Sequence, residues 1–245
     1  MAQALVPLKD LVQAKSRLAG LLRPSERRAL AQAMVEDVLA VLSSHPQISR
    51  VTLVSDDPGA GLLAAQYGIR YWPESALPCR GLNAVITCAS ELLAADCEEP
   101  LLVLHGDLPL ITAADITAVL ARHGELGGLV IGCDRRGAGT NLLAFSSGRA
   151  PEFCFGADSC NRHREAARAA GMPVAVIRRP GIGLDVDEAA DLAAVLARLT
   201  ADPERAAVGV HTGQLLYATG LGARVQLALA SLTVDMGPPN EEQAN

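Results

Sequence analysis

Aromatic residues are scarce in this chain, with one Trp, three Tyr and three Phe in 245 residues. A core must therefore come from Ala, Leu, Val and Ile, which a 50% apolar composition can supply. No apolar run reaches the length of a membrane span. There is no long basic run and the formal charge is −6, so neither a nucleic-acid nor a membrane partner is expected. The first residues lack a signal-peptide pattern, because Lys9 and Asp10 interrupt the apolar start, and a cytoplasmic protein is expected. The six cysteines (79, 88, 97, 133, 154 and 160) form no Cys-x-x-Cys pair, which argues against zinc and for reduced, buried thiols. Gly-x-Gly-x-x-Gly and Gly-x-x-x-x-Gly-Lys-Ser/Thr are both missing, so dinucleotide and Walker-type sites are not supported. Without Gly-x-Ser-x-Gly, hydrolase chemistry lacks its nucleophile elbow.

What is present is an alternation of short apolar runs and helical patterns. Residues 2–8, Val51–Ser55, Ile69–Trp72, Leu101–His105, Leu129–Cys133, Asn141–Phe145 and Val174–Ile177 predict strands. Ser25 is placed to cap a helix reaching about Ser43, with Leu30, Met34, Val38, Val41 and Leu42 on one face. Further helices are expected over 61–66, 82–95, 113–122 capped by Thr112, 160–170 capped by Ser159, and from Asp187 or Glu188 to Leu199. This order means a mostly parallel sheet with helices on both faces, in which ligands bind at the carboxyl ends of strands. Residues 201–245 break the pattern. Asp202-Pro203 interrupts it, Gly209–Gly222 reads as loose, Val225–Leu232 as a short helix or strand, and the chain from Gly237 as disordered. One domain over 1–200 and an extension over 201–245 are expected.

The chemistry concentrates at strand ends. The run Leu-Leu-Val-Leu-His-Gly-Asp-Leu-Pro at 101–109 closes in Asp107, and Pro109 forbids continuing a central strand. Asp185 and Asp187, two apart, face the same way on a strand. With Asp107 they offer three hard oxygen ligands of the kind Mg²⁺ takes. The plainer alternative, that Asp187 caps the last helix, explains Asp185 badly. Lys9, Lys15 and Arg17 fall in the loop after the first strand, where they either neutralise a polyphosphate or are ordinary solvated cations. Gly81, Leu82 and Asn83 open a helix that could meet a base edge or be a plain helix start. Thr140 follows a Gly-rich turn, and Gly156 and Ser159 precede a helix carrying Arg162, His163 and Arg164, a phosphate or carboxylate site or simple capping. His45, His105, His123 and His211 read as structural or surface residues. Carboxylates opposite a basic first loop suit a nucleotidyltransferase.

The stretches LVPLKDLVQAKSRLAGLL, SERRALAQAMVEDVL, GDLPLI, GTN at 139–141, FGADSCNRH at 155–163 and GLDVDEAADL at 183–192 together resemble the 2-phospho-L-lactate guanylyltransferase family. Members of that family also act on phosphoenolpyruvate or 3-phosphoglycerate, in coenzyme F-420 biosynthesis. The likeness covers roughly residues 4–199. It implies a compact three-layer α/β nucleotidyltransferase fold, mostly parallel and nucleotide-diphospho-sugar transferase-like (Rossmann-like), working with GTP and Mg²⁺. It implies that Asp107, Asp185 and Asp187 hold metal, and that Lys9, Lys15 and Arg17 meet the GTP phosphates. Gly81, Leu82 and Asn83 would lie near guanine. Thr140, Gly156 and Ser159 would hold the phospho-acid, with His163 a weaker candidate. A transient contact with the downstream transferase and an oligomer stay open. Two departures stand out: His105-Gly106 precedes Asp107 where the family more often has Pro-Ala, and the tail from 201 has no counterpart, leaving it a linker, an oligomer contact or a fusion remnant. Two alternatives are a molybdopterin or sugar-phosphate nucleotidyltransferase, whose usual Gly-rich first loop is replaced here by Pro7-Leu8-Lys9, and a non-catalytic nucleotide-binding scaffold.

Overall fold

The computed structural model describes residues 1–9, 11, 15–201 and 208–235, with the side chains of 229–235 excepted. The expected break at Asp202-Pro203 and the expected disorder from Gly237 lie outside the described residues. Strands β1 (Ala2–Pro7), β2 (Ile48–Val54), β3 (Arg70–Trp72), β4 (Leu101–Leu104), β5 (Leu129–Cys133), β6 (Thr140–Phe145) and β7 (Val174–Ile177) form one sheet in the order β3-β2-β1-β4-β6-β5-β7. All pair in parallel except β6, which runs antiparallel to both β4 and β5. The sheet is thus mostly parallel, as its alternation with helices predicts.

Side-chain alternation along the strands builds two cores. Ala4, Val6, Leu102, Leu104, Val130, Leu142 and Ala144 face one way. Leu5, Leu101, Val103, Leu129, Ile131, Leu143 and Phe145 face the other. The first set is covered by α1 (Pro24–Ser44), α2 (Ala60–Gln66), α4 (Ala113–Leu126) and α7 (Ala189–Ala201). The second is covered by α3 (Leu82–Asp96) and α5 (Ser159–Ala169), which makes three layers. α6 (Pro180–Gly183) is a single turn.

Helix α1 shows how sequence sets an element. Leu30, Met34, Val38, Leu39 and Leu42 recur at helical spacing and are all buried. The start differs from the expected Ser25 cap. Pro24 takes the first helical position, where its missing N–H costs nothing, and the Glu26 carboxylate accepts the Arg23 N–H at 2.8 Å. At α4 the expected Thr112 cap is present, its hydroxyl accepting the Asp115 N–H at 3.1 Å.

Two other expectations are corrected. Gly209–Gly222 is not loose, because it contains α8 (Val210–Ala218), followed by α9 (Leu221–Asp235). A buried carboxylate on α1 organises this region: Asp37 accepts the His211 and Thr212 amides at 2.8 and 3.0 Å and so caps α8. That partner lies 174 positions upstream, out of reach of a local pattern. Leu216, Leu221 and Val225 then join the first core. The other correction concerns Asp185 and Asp187, which stand on no strand; residues 184–188 connect α6 and α7 outside any strand, with Leu184 and Val186 buried and Asp185 and Asp187 half-buried between them. No helix among the described residues is long and apolar enough to cross a membrane.

Candidate active site

β1 and β4 are neighbours, yet the chain leaves β1 toward β2 on one side and reaches β4 on the other. Such a switch point opens a crevice at the carboxyl ends of the strands. The reversal of β6 brings its start, Thr140 and Asn141, to the same edge where β1, β4 and β5 end. A cavity of about 1060 Å³ opens there. Lys9, Lys15, Arg17, Leu82, Asp107, Thr140, Gly156, Ser159, Asp185 and Asp187 all line it. Three expected residues do not: Gly81, Asn83 and His163.

At the centre, the Lys15 ammonium lies 2.6 Å from Asp107 Oδ2 and 2.9 Å from Asp187 Oδ1. Burial alone would lower the Lys15 pKa, but the two carboxylates outweigh it and hold it above its usual value. Burial would raise Asp107; the Lys15 charge reverses this and holds its carboxyl below the usual range. Asp185 behaves differently. Burial pushes it up, the Asp107 and Asp187 charges add to that, and a 3.0 Å hydrogen bond from Asn141 Nδ2 only partly offsets them.

The connection between α6 and α7 explains why both aspartates reach the cavity. Alternation turns Asp185 and Asp187 to one side and Val186 into the core, and the Val186 N–H donates to the Asp107 carbonyl at 3.2 Å. Nor does the Asp187 side chain cap α7. The Asp191 carboxylate accepts the Asp187 and Glu188 amides at 3.1 and 2.8 Å, leaving Asp187 to Lys15.

Among the described residues, Lys15 and Asp158 are the two non-glycine residues with positive φ, at 56° and 51°. Both line the cavity. Left-handed backbone costs a non-glycine residue about 1–2 kcal/mol and concentrates at functional sites. Asp158 takes the α5 N-cap position, so the expected Ser159 cap moves inward; Ser159 Oγ instead accepts the Thr140 N–H at 2.8 Å.

Several contributors lie outside the set of expected site residues. Asn141 joins the Ile182 carbonyl (2.8 Å) to Asp185. Buried Asp57 accepts the Leu11 N–H at 2.9 Å and tethers the first loop to the end of β2. Arg135 pairs with Asp191 at 2.5 Å at the cavity rim, while Glu188 faces Arg17 (3.5 Å) and Arg136 (3.6 Å) across it. His105, expected to be merely structural or surface, lies in the cavity wall edge-on to Phe155, and burial lowers its pKa. Asn83 is engaged elsewhere, its amide gripping the Phe155 N–H (2.8 Å) and C=O (3.3 Å). Fully buried His163 stands behind Thr140, with Nδ1 3.0 Å from its hydroxyl.

This arrangement gathers the Asp107, Asp185 and Asp187 carboxylates, the Lys9, Lys15 and Arg17 cations and the buried Thr140 and Ser159 hydroxyls around one cavity. A family model described as "Guanylyl transferase CofC like" matches residues 2–201. The chain belongs to this guanylyl transferase family. A phosphoenolpyruvate guanylyltransferase from Chloroflexus aggregans is 36% identical over 187 residues, 75% of this chain and 91% of that protein. A 3-phospho-D-glycerate guanylyltransferase from Phenylobacterium zucineum is 37% identical over 197 residues, 78% of this chain and 88% of that one. Among solved structures, a nucleotide-diphospho-sugar transferase from Desulfovibrio desulfuricans G20 superposes with a TM-score of 0.74 at 18% identity, covering 93% of this chain and 98% of that one. A cytidylyltransferase from Leptospira borgpetersenii gives a TM-score of 0.55 at 11% identity, over 92% and 96% of the two chains. These structural likenesses show the nucleotidyltransferase fold. Family membership makes the chain a nucleotidyltransferase with GTP as its nucleotide, and sets aside the molybdopterin, sugar-phosphate and scaffold alternatives.

Proposed function

We propose that this protein transfers GMP from GTP to the phosphate of a small phosphorylated carboxylic acid, with release of pyrophosphate, in coenzyme F-420 biosynthesis. The observation that carries the reading is the Lys15 ammonium held between Asp107 and Asp187 in a cavity that Thr140 and Ser159 also line. The names of the relatives support a three-carbon phospho-acid: phosphoenolpyruvate, 3-phospho-D-glycerate or 2-phospho-L-lactate. Six cysteines without a disulfide suit a reducing cytoplasm.

Asp107, Asp185 and Asp187 fit a hard divalent cation. Among the described residues no three His, Cys, Asp or Glu groups form a ready-made cage. Asp107 Oδ1, however, is buried with no hydrogen-bond partner, which is an open ligand position. Mg²⁺ keeps several waters and usually takes one or two carboxylates plus phosphate oxygens. Once bound, the ion would neutralise charge on the nucleotide phosphates and the departing pyrophosphate.

The chain's own residues do the rest. The phosphate of the acid is already largely ionised at pH 7, so its oxygen attacks the α-phosphorus without a general base. Lys15, with Lys9 and Arg17 on the same loop, stabilises charge that grows on the phosphates. Gly156 and the Thr140 and Ser159 hydroxyls orient the phospho-acid. Leu82 and the α3 amino end, entered through Gly81 at φ 85°, lie toward guanine; Asn83 shapes that wall through Phe155.

The test is pyrophosphate release with Mg²⁺ and GTP, each acid offered separately, ATP as the control nucleotide and the downstream transferase with its deazaflavin acceptor in a parallel reaction. Release is expected with GTP and one acid, and none after chelation of the metal. Asp107→Asn is expected to abolish release without changing the folded circular-dichroism spectrum. Near-normal turnover by that variant would remove the metal assignment, and silence with all three acids from protein that binds GTP would remove the proposed acceptor.

A further inference from the structure

Two buried hydroxyls at the cavity already face hydrogen-bond partners. Ser159 Oγ accepts the Thr140 N–H, and Thr140 Oγ1 lies 3.0 Å from His163 Nδ1. The proton on His163 follows from its other nitrogen. Nε2 is 2.8 Å from the Cys154 backbone nitrogen, and a backbone N–H can only donate. Nε2 is therefore bare. A neutral imidazole then carries its hydrogen on Nδ1, facing Thr140 Oγ1 and the Ser159 backbone, so the Thr140 hydroxyl cannot give its own hydrogen to the ring. Neutrality agrees with the burial of the ring, which pushes its pKa down to about 4.

Each hydroxyl is thus left with its own hydrogen to give. Among the described residues neither Thr140 Oγ1 nor Ser159 Oγ has a protein acceptor, and both residues line the cavity. The geometry points to His163 as a positioning residue: by facing Thr140 with Nδ1–H it leaves the Thr140 hydroxyl hydrogen free for the cavity, beside the Ser159 hydroxyl that accepts the Thr140 N–H, so that both hydroxyls can donate to a phosphate or carboxylate oxygen there. Reading that anion as the phospho-acid rests on the function proposed above. His163 has a second, separable task. Its bond to Cys154 fixes the segment leading to Gly156, together with the Asn83 grip on Phe155 and the edge-on packing of the Phe155 ring between His105 and His163, at 5.0 and 4.9 Å.

Three substitutions divide the tasks. His163→Asn keeps a donor where Nδ1 stands, His163→Gln keeps an acceptor where Nε2 stands, and His163→Phe keeps only the ring. Losing a charge-directed hydroxyl predicts a KM for the phospho-acid about 10-fold higher in the Gln and Phe variants. In the Asn variant, which keeps the donor toward Thr140 but loses the Cys154 bond, the rise in that KM is expected to be smaller than in the Gln variant. The KM for GTP is expected unchanged in all three. Equal behaviour of Asn and Gln variants, or a parallel rise in the KM for GTP, overturns the inference in favour of a purely structural histidine. A readout independent of turnover is the long-range ¹H–¹⁵N spectrum of the imidazoles, in which His163 is expected with Nδ1 protonated and Nε2 bare. An Nε2–H tautomer overturns the inference whatever the activity. The expected tautomer with no turnover on any phospho-acid overturns the proposed acceptor instead and leaves the donor pair standing.

Discussion

Lys15 joins Asp107 and Asp187, residues 92 and 172 positions away in sequence, through hydrogen bonds of 2.6 and 2.9 Å. It does so from a left-handed backbone, φ 56° and ψ 42°. The strain is local and the return is long-range, because one ammonium offsets two carboxylates that would otherwise repel each other and Asp185. A cation arriving with a nucleotide would meet the same carboxylates, so Lys15 and the metal are expected to compete for, or share, Asp107 and Asp187.

That competition is measurable. In Lys15→Met the carboxylates lose their cation, and turnover is expected to fall by about 10²–10³-fold, the loss typical of one charge-stabilising donor. The melting temperature is expected to fall as well, since removing one partner leaves the other charges uncompensated. Added Mg²⁺ should then raise the melting temperature of the variant more than that of the parent. Equal shifts in a thermal-denaturation titration would show that the ion does not take over where Lys15 stood.

The His105-Gly106 departure has a packing consequence. A Cβ on Gly106 would stand 2.7 Å from Val35 Cγ2, a buried branched side chain on α1 with little freedom to move. Gly106→Ala is expected to destabilise by about 1–3 kcal/mol through overpacking, read as a lower urea midpoint with unchanged slope. Val35→Ala in the same chain is expected to recover part of the loss. A midpoint equal to the parent's would mean that α1 yields without cost.

Asp37 makes α8 part of the same folded unit. Asp37→Ala removes the acceptor of two α8 amides and is expected to cost about 1–2 kcal/mol. Amide hydrogen exchange should accelerate over 210–218 before it does over α1 or the sheet. Uniform acceleration would mean that α8 unfolds only with the whole domain.

The layers were legible because buried strands and amphipathic helices write their periods directly into sequence: Leu101–Leu104 and the Leu30–Leu42 stripe are local facts. The carboxylates were legible for a related reason, since Asp107 follows an apolar run stopped by Pro109. The sequence did not reveal which neighbour each residue would find. Asp37 looks like any helical aspartate until α8 arrives 174 positions later. Asn83 looks like a base reader until Phe155, 72 positions on, occupies its amide. Asp185 and Asp187 reach the cavity as foreseen, but from a connection outside any strand, because side chains can alternate there without a ladder.

His163 supplies a pH signature that geometry alone would not reveal. Its pKa falls from 6.5 to about 4 on folding, because burial disfavours the charged ring. Between those values the unfolded chain binds more protons, so this group makes stability rise with pH from about 4 to 6.5 and adds nothing further above that. Acidification through the window should therefore draw stability out of the parent, on the order of 3 kcal/mol once pH is below the folded value. His163→Asn has no such group. At pH 7 the parent is expected to be the more stable, since the variant leaves the buried Cys154 N–H without its acceptor. Toward pH 4 the gap should close or reverse, while other titrating groups cancel between the two chains. The measurement is the urea-unfolding free energy of both proteins at several pH values from 7 to 4. A gap that stays constant across that range would mean that the ring charges without penalty, and the neutral Nδ1–H form assigned to it would have no thermodynamic support.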